Sequence, residues 1–393
     1  YKAPPGTASS IGPQFNTHYW DRKSLIDAAE QMFFSPLADV RSMPMHYGKT
    51  LKVFYYVPML DARNVNDQGI DAAGVTVANG VNMYGGSKDV GLITSKMPTL
   101  TESGGRVNRV GFTRLERTGT LREHGFFTEF SADSMTFDTD SDLYSHMSRE
   151  MVAGANEITE DLLQLDLLSA AGTVVYGGVA TSTATVTGEG ANPSVVTYTN
   201  LKKLSILLDD NRTPKMTKII TGSTMNDTAT INASRILYIG SELQITVENL
   251  VDGLSNPAFV PVRKYAAAGT VMNGEIGSVG DFRIVVVPNM MKWEGAGATA
   301  TGANLGYAVT GSNYDVFPML CVGDGSFATV GLQGSGKAGA KQKFKIIVKK
   351  PGEEMATVQD PFGKIGFSSI TFYHGFIALR PERLAVVKTV GAM

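Results

Sequence analysis

Hydrophobic positions recur along this chain with two different periods, and each period predicts a different element. Between residues 141 and 171 they return every three or four positions, which places them on one face of a helix. The positions at this spacing are Leu143, Met147, Met151, Gly154, Ile158, Leu162, Leu165 and Leu168. Thr139 or Ser141 can cap the start, and Gly172 follows the end. At about 1.5 Å per residue the helix would be roughly 45 Å long, which is typical of a structural spine.

Short runs of β-branched and aromatic residues predict strands elsewhere. The predicted strands are 51–57, 107–115, 125–130, 218–221, 235–239, 282–287, 316–322, 327–332, 343–349, 370–379 and 384–390. Helices are predicted over 201–208 and 243–251, and the Thr/Gly/Val-rich tract 173–199 is interpreted as a surface hairpin. Alternating helices and strands in the middle of the chain predict an α/β domain within an α+β fold.

The regions before the long helix have a different character. Prolines divide residues 1–50, which nevertheless contain Phe15, Tyr19, Trp20, Phe33 and Phe34, so we expect an extended arm that packs against something. After the strand at 51–57 the chain is rich in Gly and Asn up to about residue 106, as in a long hairpin with an elaborated tip. Because strands return at the end of the chain, we expect one domain to combine the middle of the sequence with its C-terminus.

Composition excludes several classes of protein. Of 393 residues, 43% are hydrophobic and 18% charged, and the net charge is −2, which argues against a disordered chain and against a basic nucleic-acid coat. Cys321 is the sole cysteine, so no internal disulfide can form, and a reducing compartment is expected. The histidines have no metal-ligand spacing, and no apolar run is long enough for a membrane span, so we expect a soluble protein without bound metal or signal peptide.

Two glycine-rich motifs resemble nucleotide-binding loops but lack the required context. Residues 331–337 fit GxxxxGK, yet Ala338 has no hydroxyl for magnesium and the sequence that follows alternates like a strand. Residues 323–328 fit GxGxxG/A, yet no βαβ unit follows, which favours a tight hairpin turn. We expect neither to bind a cofactor.

Candidate catalytic residues are equally weak. His374 shares a strand face with Ile370 and Phe372, which favours a hydrogen-bonded core histidine, and Cys321 lies among apolar residues, which favours an inert thiol. No GxSxG, HExxH or CxxC motif occurs. The sequence therefore predicts no catalytic, cofactor or metal site and no enzyme activity.

Charge segregation is the most informative polar feature. Nine acids and a single arginine lie between residues 133 and 166, five arginines and one glutamate lie between 106 and 122, and six lysines without an acid lie between 337 and 350. Each run taken alone suits a solvated face, whereas runs of opposite sign also suit copies that recognise one another. The candidate subunit-contact residues are Arg106, Arg109, Arg114, Arg117, Arg122, Glu157, Glu160 and Asp161.

Four segments carry a family resemblance: GKTLKVFYYVPMLD at 48–61, NVNDQGID at 64–71, GGRVNRVGFTR at 104–114 and DPFGKIGF at 360–367. They resemble the major capsid proteins of short-tailed phages of the Schitoviridae type, and the order of elements resembles the Hong Kong 97 capsid fold. The resemblance covers nearly the whole chain from about residue 45.

The resemblance implies a domain organisation. It consists of an N-terminal arm (1–48), an extended loop (49–115), a peripheral domain (116–172, with spine helix 141–171, plus return strands 335–393), a connecting hairpin (173–194) and an axial domain (195–334). In this fold the extended loop lies across the peripheral domain of a neighbouring subunit.

The resemblance also implies a function. The chain would assemble as hexamers and pentamers into an icosahedral shell, in the host bacterial cytoplasm, around double-stranded DNA bound without sequence specificity. Portal and scaffolding or decoration proteins would be its other partners. The alternative is an encapsulin-like shell of a cellular nanocompartment, and a nucleotide-dependent enzyme that uses Gly331 to Lys337 is a distant third.

Overall fold

The computed structural model describes residues 32–43, 48–56, 114–133, 143–221, 228–266, 271–302, 304–332, 344–352, 355–356 and 360–391. Residues 1–31 of the predicted arm and 57–113 of the predicted extended loop lie outside this range. The helices are α1 (Leu143–Ala170), α2 (Tyr198–Asp210) and α3 (Gln244–Glu248). The strands are β1 (Asp39–Met43), β2 (Thr50–Tyr56), β3 (Arg114–Thr120), β4 (Arg122–Ser131), β5 (Thr173–Tyr176), β6 (Arg235–Ile239), β7 (Phe259–Pro261), β8 (Glu275–Val279), β9 (Phe282–Val286), β10 (Val309–Thr310), β11 (Asn313–Tyr314), β12 (Phe317–Val322), β13 (Phe327–Leu332), β14 (Phe344–Lys349), β15 (Ile365–His374), β16 (Phe376–Ala378) and β17 (Leu384–Thr389).

The described residues divide into two units by contact density. The smaller unit contains Phe126–Glu157 and Ile346–Ile370, and the larger unit contains Met32–Gly125, Ile158–Lys345 and the chain from Thr371 onward. Both units are discontinuous in sequence. The smaller unit falls inside the predicted peripheral domain, whereas the larger unit contains the predicted axial domain together with residues from both ends of the chain.

A seven-stranded mixed sheet is the centre of the larger unit. Its strand order is β5-β17-β12-β6-β9-β8-β7, with β5 and β17 parallel, β6 and β9 parallel, and the other pairs antiparallel. Strands β6 and β12 are buried at every position because apolar residues point to both faces. Leu201, Leu204 and Leu208 of α2 cover one face, and Leu163 and Leu167 of α1 cover the other.

The long helix forms as predicted, but its buried face matches the predicted apolar stripe only in part: Met151 is buried and Leu168 packs against the core. Leu163 and Leu167 are buried, whereas Leu165 is 55% exposed and Ile158 is also exposed. Residues 162–168 read LLQLDLL, so leucines lie on several sides of the helix and their spacing does not select one. Contact with the seven-stranded sheet selects the side on which Leu163 and Leu167 lie.

Three further expectations need correction. The tract 173–199 is not a hairpin, because β5 pairs in parallel with β17 instead of with a neighbouring strand of the tract. The C-terminal segment 335–393 is not a single group of return strands, because β17 lies between β5 and β12 in the seven-stranded sheet. The strand predicted over 218–221 is reduced to an isolated bridge between Ile220 and Ile231.

The described residues also form four smaller sheets. Strands β1, β13 and β16 form one, β14, β15 and β4 form another, β10 and β11 form a third, and β2 and β3 form a two-stranded ribbon. The turn at 323–326 connects β12 of the seven-stranded sheet with β13 of a different sheet. The tight hairpin predicted there is therefore wrong, although the expected strand on each side of the turn is present.

Candidate subunit-contact surface

The ribbon of β2 and β3 has two unlike faces. Alternate residues are exposed along both strands, and the pairing places Phe54 opposite Glu116 and Tyr56 opposite Arg114 on the outer face. On the inner face, Leu51 and Val53 pack against a small core that includes Ile377. Because side chains alternate between the two faces of a strand, the ribbon has an inner face that packs against the core and an outer face that is exposed.

The inner face explains the glycine in β3. A Cβ atom placed on Gly119 would lie 2.1 Å from Cγ1 of Ile377 and 2.7 Å from the carbonyl oxygen of Phe376. Only glycine allows the ribbon to approach β16 this closely. The contact fixes which face of the ribbon points outward.

Two aromatic residues are about half exposed on the outer face. Phe54 is 55% exposed and Tyr56 is 52% exposed, and their rings meet edge to face with centroids 6.0 Å apart. The guanidinium of Arg114 lies 5.2 Å from the centre of the Phe54 ring. Exposed aromatic residues beside arginine are typical of protein contact surfaces.

Charged residues surround this aromatic pair. Arg114 Nη2 lies 2.7 Å from Glu116 Oε1, and Lys52 Nζ lies 3.9 Å from Glu116 Oε2. All three side chains are at least two-fifths exposed, so the pairs contribute little to folding. We call Lys52, Phe54, Tyr56, Arg114 and Glu116 the ribbon patch.

The other predicted arginines have different surroundings. Arg117 lies on the inner face opposite Val53 and is half-buried, and its Nε has no hydrogen-bond partner among the described residues. Arg122 is exposed at the start of β4. Arg106 and Arg109 lie outside the described residues. Of the ribbon patch, the sequence analysis had named Arg114 as a candidate but not Phe54 or Tyr56, although their alternation with Lys52 along the strand could have indicated them.

The acidic candidates on α1 also differ from one another. Glu157 and Asp161 are half-buried, whereas Glu160 is 7% exposed and accepts hydrogen bonds from the backbone of Phe33, Phe34 and Ser35. Glu160 therefore binds its own chain. The prediction that arginines of one copy meet acids of another remains a prediction for Glu157 and Asp161.

His374 and Cys321, for which the sequence predicts core roles, are both buried. His374 is buried, and its Nε2 lies 2.8 Å from Oδ2 of Asp166. Cys321 is fully buried in β12, and burial raises the pKa of its thiol to about 12. Both observations agree with the core roles expected for these two residues.

The glycine motifs lack nucleotide-binding geometry as far as they are described. Residues 323–328 lead directly into β13 and not into a helix, and most of the motif at 331–337 lies outside the described residues. In the described part of the chain, no group of three or more His, Cys, Asp or Glu side chains is arranged to hold a metal ion. None of the helices within the described ranges has the length and hydropathy needed to cross a membrane.

Comparison with known proteins identifies the family. The model of a family described as phage capsid protein matches residues 115–389. The chain is also 51% identical to the major capsid protein of Pseudomonas phage KPP21 over 388 residues, which cover 99% of this chain and 96% of that protein. This chain belongs to the phage capsid protein family.

Solved structures of capsids share the fold of this capsid protein. The capsid of Ralstonia phage GP4 matches with a TM-score of 0.59 and 12% identity, covering 98% of each chain. The capsid structure of the cyanophage P-SCSP1u matches with a TM-score of 0.54 and 13% identity, covering 100% of this chain and 99% of that one. At these identities the likeness concerns the mixed helix and sheet fold. The family is structural and not a known enzyme class, and it favours the phage shell over the nanocompartment alternative.

Proposed function

We propose that this capsid protein builds the phage shell from hexamers and pentamers of itself, arranged with icosahedral symmetry around double-stranded DNA. Membership of the capsid family supports a self-associating role. The observation within the chain that carries the proposal is the ribbon patch, because Phe54 and Tyr56 are more than half exposed in the subunit. A shell subunit must keep such surfaces for its copies.

The finer assignment extends the same proposal. The fold would be of the Hong Kong 97 type, and the phage would be short-tailed and of the Schitoviridae type. Residues 1–48 would be the arm, 49–115 the extended loop, 116–172 with much of 335–393 the peripheral domain, and 195–334 the axial domain. Strand β17 pairs with β12 in the seven-stranded sheet, which supports grouping Leu384–Thr389 with the axial domain in this proposal.

Packaged DNA, portal and scaffolding or decoration proteins would be the other partners. The net charge of −2 is compatible with an interior that meets DNA without a basic lining, because packaged DNA brings its own counterions. Binding would therefore be non-specific. Assembly would take place in the cytoplasm of the host bacterium.

Electron microscopy of the purified protein tests the shell itself. We expect closed particles with icosahedral symmetry. Nucleic acid in particles from infected cells would agree with a phage capsid, and protein cargo would favour the nanocompartment. Only monomeric protein, over a range of salt and concentration, would contradict the proposal.

Charge reversal tests the proposed recognition between copies. Arg114→Glu with Arg122→Glu changes two exposed arginines. We expect fewer assembled particles, because each exposed ion pair contributes about 0 to 1 kcal/mol but recurs in every subunit. Compensating reversal to lysine at Glu157 and Asp161 should restore part of the yield.

The control carries the same charge change elsewhere: Lys203→Glu with Lys264→Glu, at two exposed lysines. It should assemble more completely than the arginine variant. Glu160 is left intact because its carboxylate binds the backbone of its own chain. Equal yields from both double variants, or no rescue, would mean that the charge runs are solvated faces.

A further inference from the structure

The carboxylate of Glu160 is a binding site for the backbone that leads into β1. Its Oε1 accepts hydrogen bonds from the N–H groups of Phe33 at 2.8 Å and Phe34 at 2.5 Å. The N–H of Ser35 lies 3.3 Å from both oxygens, and the Ser35 hydroxyl donates to Oε2 at 2.5 Å. One side chain of α1 thus collects four donors from three successive residues.

The chemistry of this contact requires a carboxylate. An ionised glutamate only accepts hydrogen bonds, and it offers two oxygens to several donors at once. Hydrogen bonds to an ionised group are roughly twice as strong as neutral ones. Because Glu160 is nearly buried, water cannot readily replace it, and its loss would leave the N–H groups of Phe33 to Ser35 without an acceptor.

A side chain of the same segment provides a second attachment. Phe34 is buried in the core that contains Leu163 and Leu167, and its ring meets Tyr238 edge to face with centroids 5.0 Å apart. The Glu160 carboxylate holds the backbone of this segment, and the buried Phe34 ring holds its side chain. Because there are two attachments, both the position and the direction of the backbone at Phe33 and Phe34 are fixed.

The fixed segment lies within the predicted arm (1–48), shortly before β1. Beyond it, β1 pairs in parallel with β13 from Asp39 to Met43, so that stretch has its own attachment. Loss of the Glu160 contact would therefore release Phe33 to Ser35 while β1 stays paired. What the contact specifically determines is the position and direction of the backbone at Phe33–Ser35.

We propose that Glu160 is a positioning residue for assembly, which holds the predicted N-terminal arm at Phe33–Ser35 so that the arm meets a neighbouring copy in one register. This inference rests on the proposed function, because only an assembling subunit uses the arm in this way. It replaces the earlier expectation that Glu160 itself contacts another subunit. Glu160 acts through the segment that it holds.

Hydrogen exchange on the unassembled full-length subunit tests the contact first. In Glu160→Gln one carboxylate oxygen becomes an amide that donates and cannot accept, so the Ser35 side of the contact is lost. We expect the amide of Ser35 to exchange about tenfold faster, the effect of losing one hydrogen bond to a charged group, and the amide of Phe34 to exchange faster by a smaller factor because its acceptor becomes neutral. The amides of β12 serve as an internal reference and should be unchanged.

Assembly yield at a temperature where both proteins are fully folded tests the positioning role. We expect Glu160→Gln to give at least several-fold fewer closed particles than the wild type. Glu150→Gln is the matched control, because it makes the same change on α1 at an exposed residue outside the candidate contact set. A purely structural role for Glu160 would lower thermal stability without lowering the yield from folded subunits.

Each outcome decides a separate statement. Unchanged exchange at Phe34 and Ser35 would overturn the contact, and faster exchange with normal particles would overturn the positioning role. If Glu160→Gln does not fold, Ser35→Ala removes the hydroxyl donor from the opposite side and should show the same two effects, more weakly. If the wild type forms no particles, the proposed shell function fails, while the exchange measurement still tests the contact.

Discussion

The seven-stranded sheet and the two-stranded ribbon use similar residues in opposite ways. Strands β6 and β12 are buried at every position, whereas β2 and β3 expose every second side chain. Phe317 in the sheet is almost completely covered by its own chain, while Phe54 in the ribbon is more than half exposed. Residues of the same subunit bury the strands β6 and β12 of the sheet, whereas in the ribbon they bury the inner face and leave the outer face about half exposed.

The difference separates residues that fold the subunit from residues that assemble it. Hydrophobic burial in the sheet is satisfied by α1, α2 and α3, so substitutions there should act on folding. Exposed aromatic residues in the ribbon contribute little to the subunit but offer apolar area to a partner. Three substitutions test this separation, from the largest expected effect on folding to the smallest.

Leu320→Asp should have the largest effect. Leu320 is fully buried in β12 between β17 and β6, and an unpaired charge at that position costs several kcal/mol. We expect no soluble folded subunit, measured as the yield of protein that unfolds cooperatively. Leu165→Asp is the control on an exposed leucine and should remain folded; insolubility of both variants would remove the distinction between buried and exposed positions.

Asp315→Asn should have an intermediate effect, because it changes a buried carboxylate at the edge of the sheet core. Asp315 accepts hydrogen bonds from Lys292 Nζ at 2.9 Å, from the N–H of Gly295 at 2.8 Å and from the hydroxyl of Thr310 at 3.0 Å. Loss of the charge should lower the free energy of unfolding by about 1 to 3 kcal/mol in denaturant titrations.

The same carboxylate gives a pH dependence of known sign. Burial raises the pKa of Asp315, but the hydrogen bonds from Lys292, Gly295 and Thr310 outweigh burial, and the net pKa lies below its usual value of 3.8. When the pKa of a carboxyl group is lower in the folded state than in the unfolded state, the folded state is stabilised at pH values above the unfolded-state pKa. This stability is lost as the pH falls through the folded-state pKa. The stability difference between wild type and Asp315→Asn should therefore shrink on acidification below about pH 4; a constant difference would contradict this assignment.

Phe54→Ser should have the smallest effect on folding and a clear effect on assembly. The exposed ring contacts only Tyr56 and Arg114 among the contacts described for the ribbon patch, so the free energy of unfolding should change by less than about 1 kcal/mol. Particle yield should nevertheless fall. Ile206→Ser, at a similarly exposed residue of α2, is the control, and equal yields from the two variants would show that the ribbon is not a contact surface.

Local patterns predicted many of the elements because their physical causes are local. The spacing of apolar residues predicted α1 almost to its ends, and the β-branched run at 235–239 predicted β6 in full. The burial of Cys321 and the hydrogen-bonded state of His374 also followed from their neighbours along a strand. In each case the residues within a few positions carry the information.

Candidate site residues were predicted less well. The arginine run includes Arg114 of the ribbon patch, but charge counting did not separate it from Arg117, which lies on the opposite face of the ribbon. The acidic run also did not distinguish Glu160 from Asp161, although Glu160 is the one that accepts a hydrogen bond from the backbone N–H of Phe34. Net charge along a sequence does not record which side of an element is covered.

The sequence by itself determined many of the elements, the absence of an internal disulfide and the segregation of charge, because these depend on composition and on neighbours in the chain. Only the tertiary structure decided which distant parts of the chain contact one another. It placed β17 beside β5, turned Leu163 and Leu167 of α1 toward the sheet, and brought Glu160 to Phe34, 126 residues away. Such choices depend on which distant surface offers matching shape and hydrogen-bond donors, and no local period encodes them.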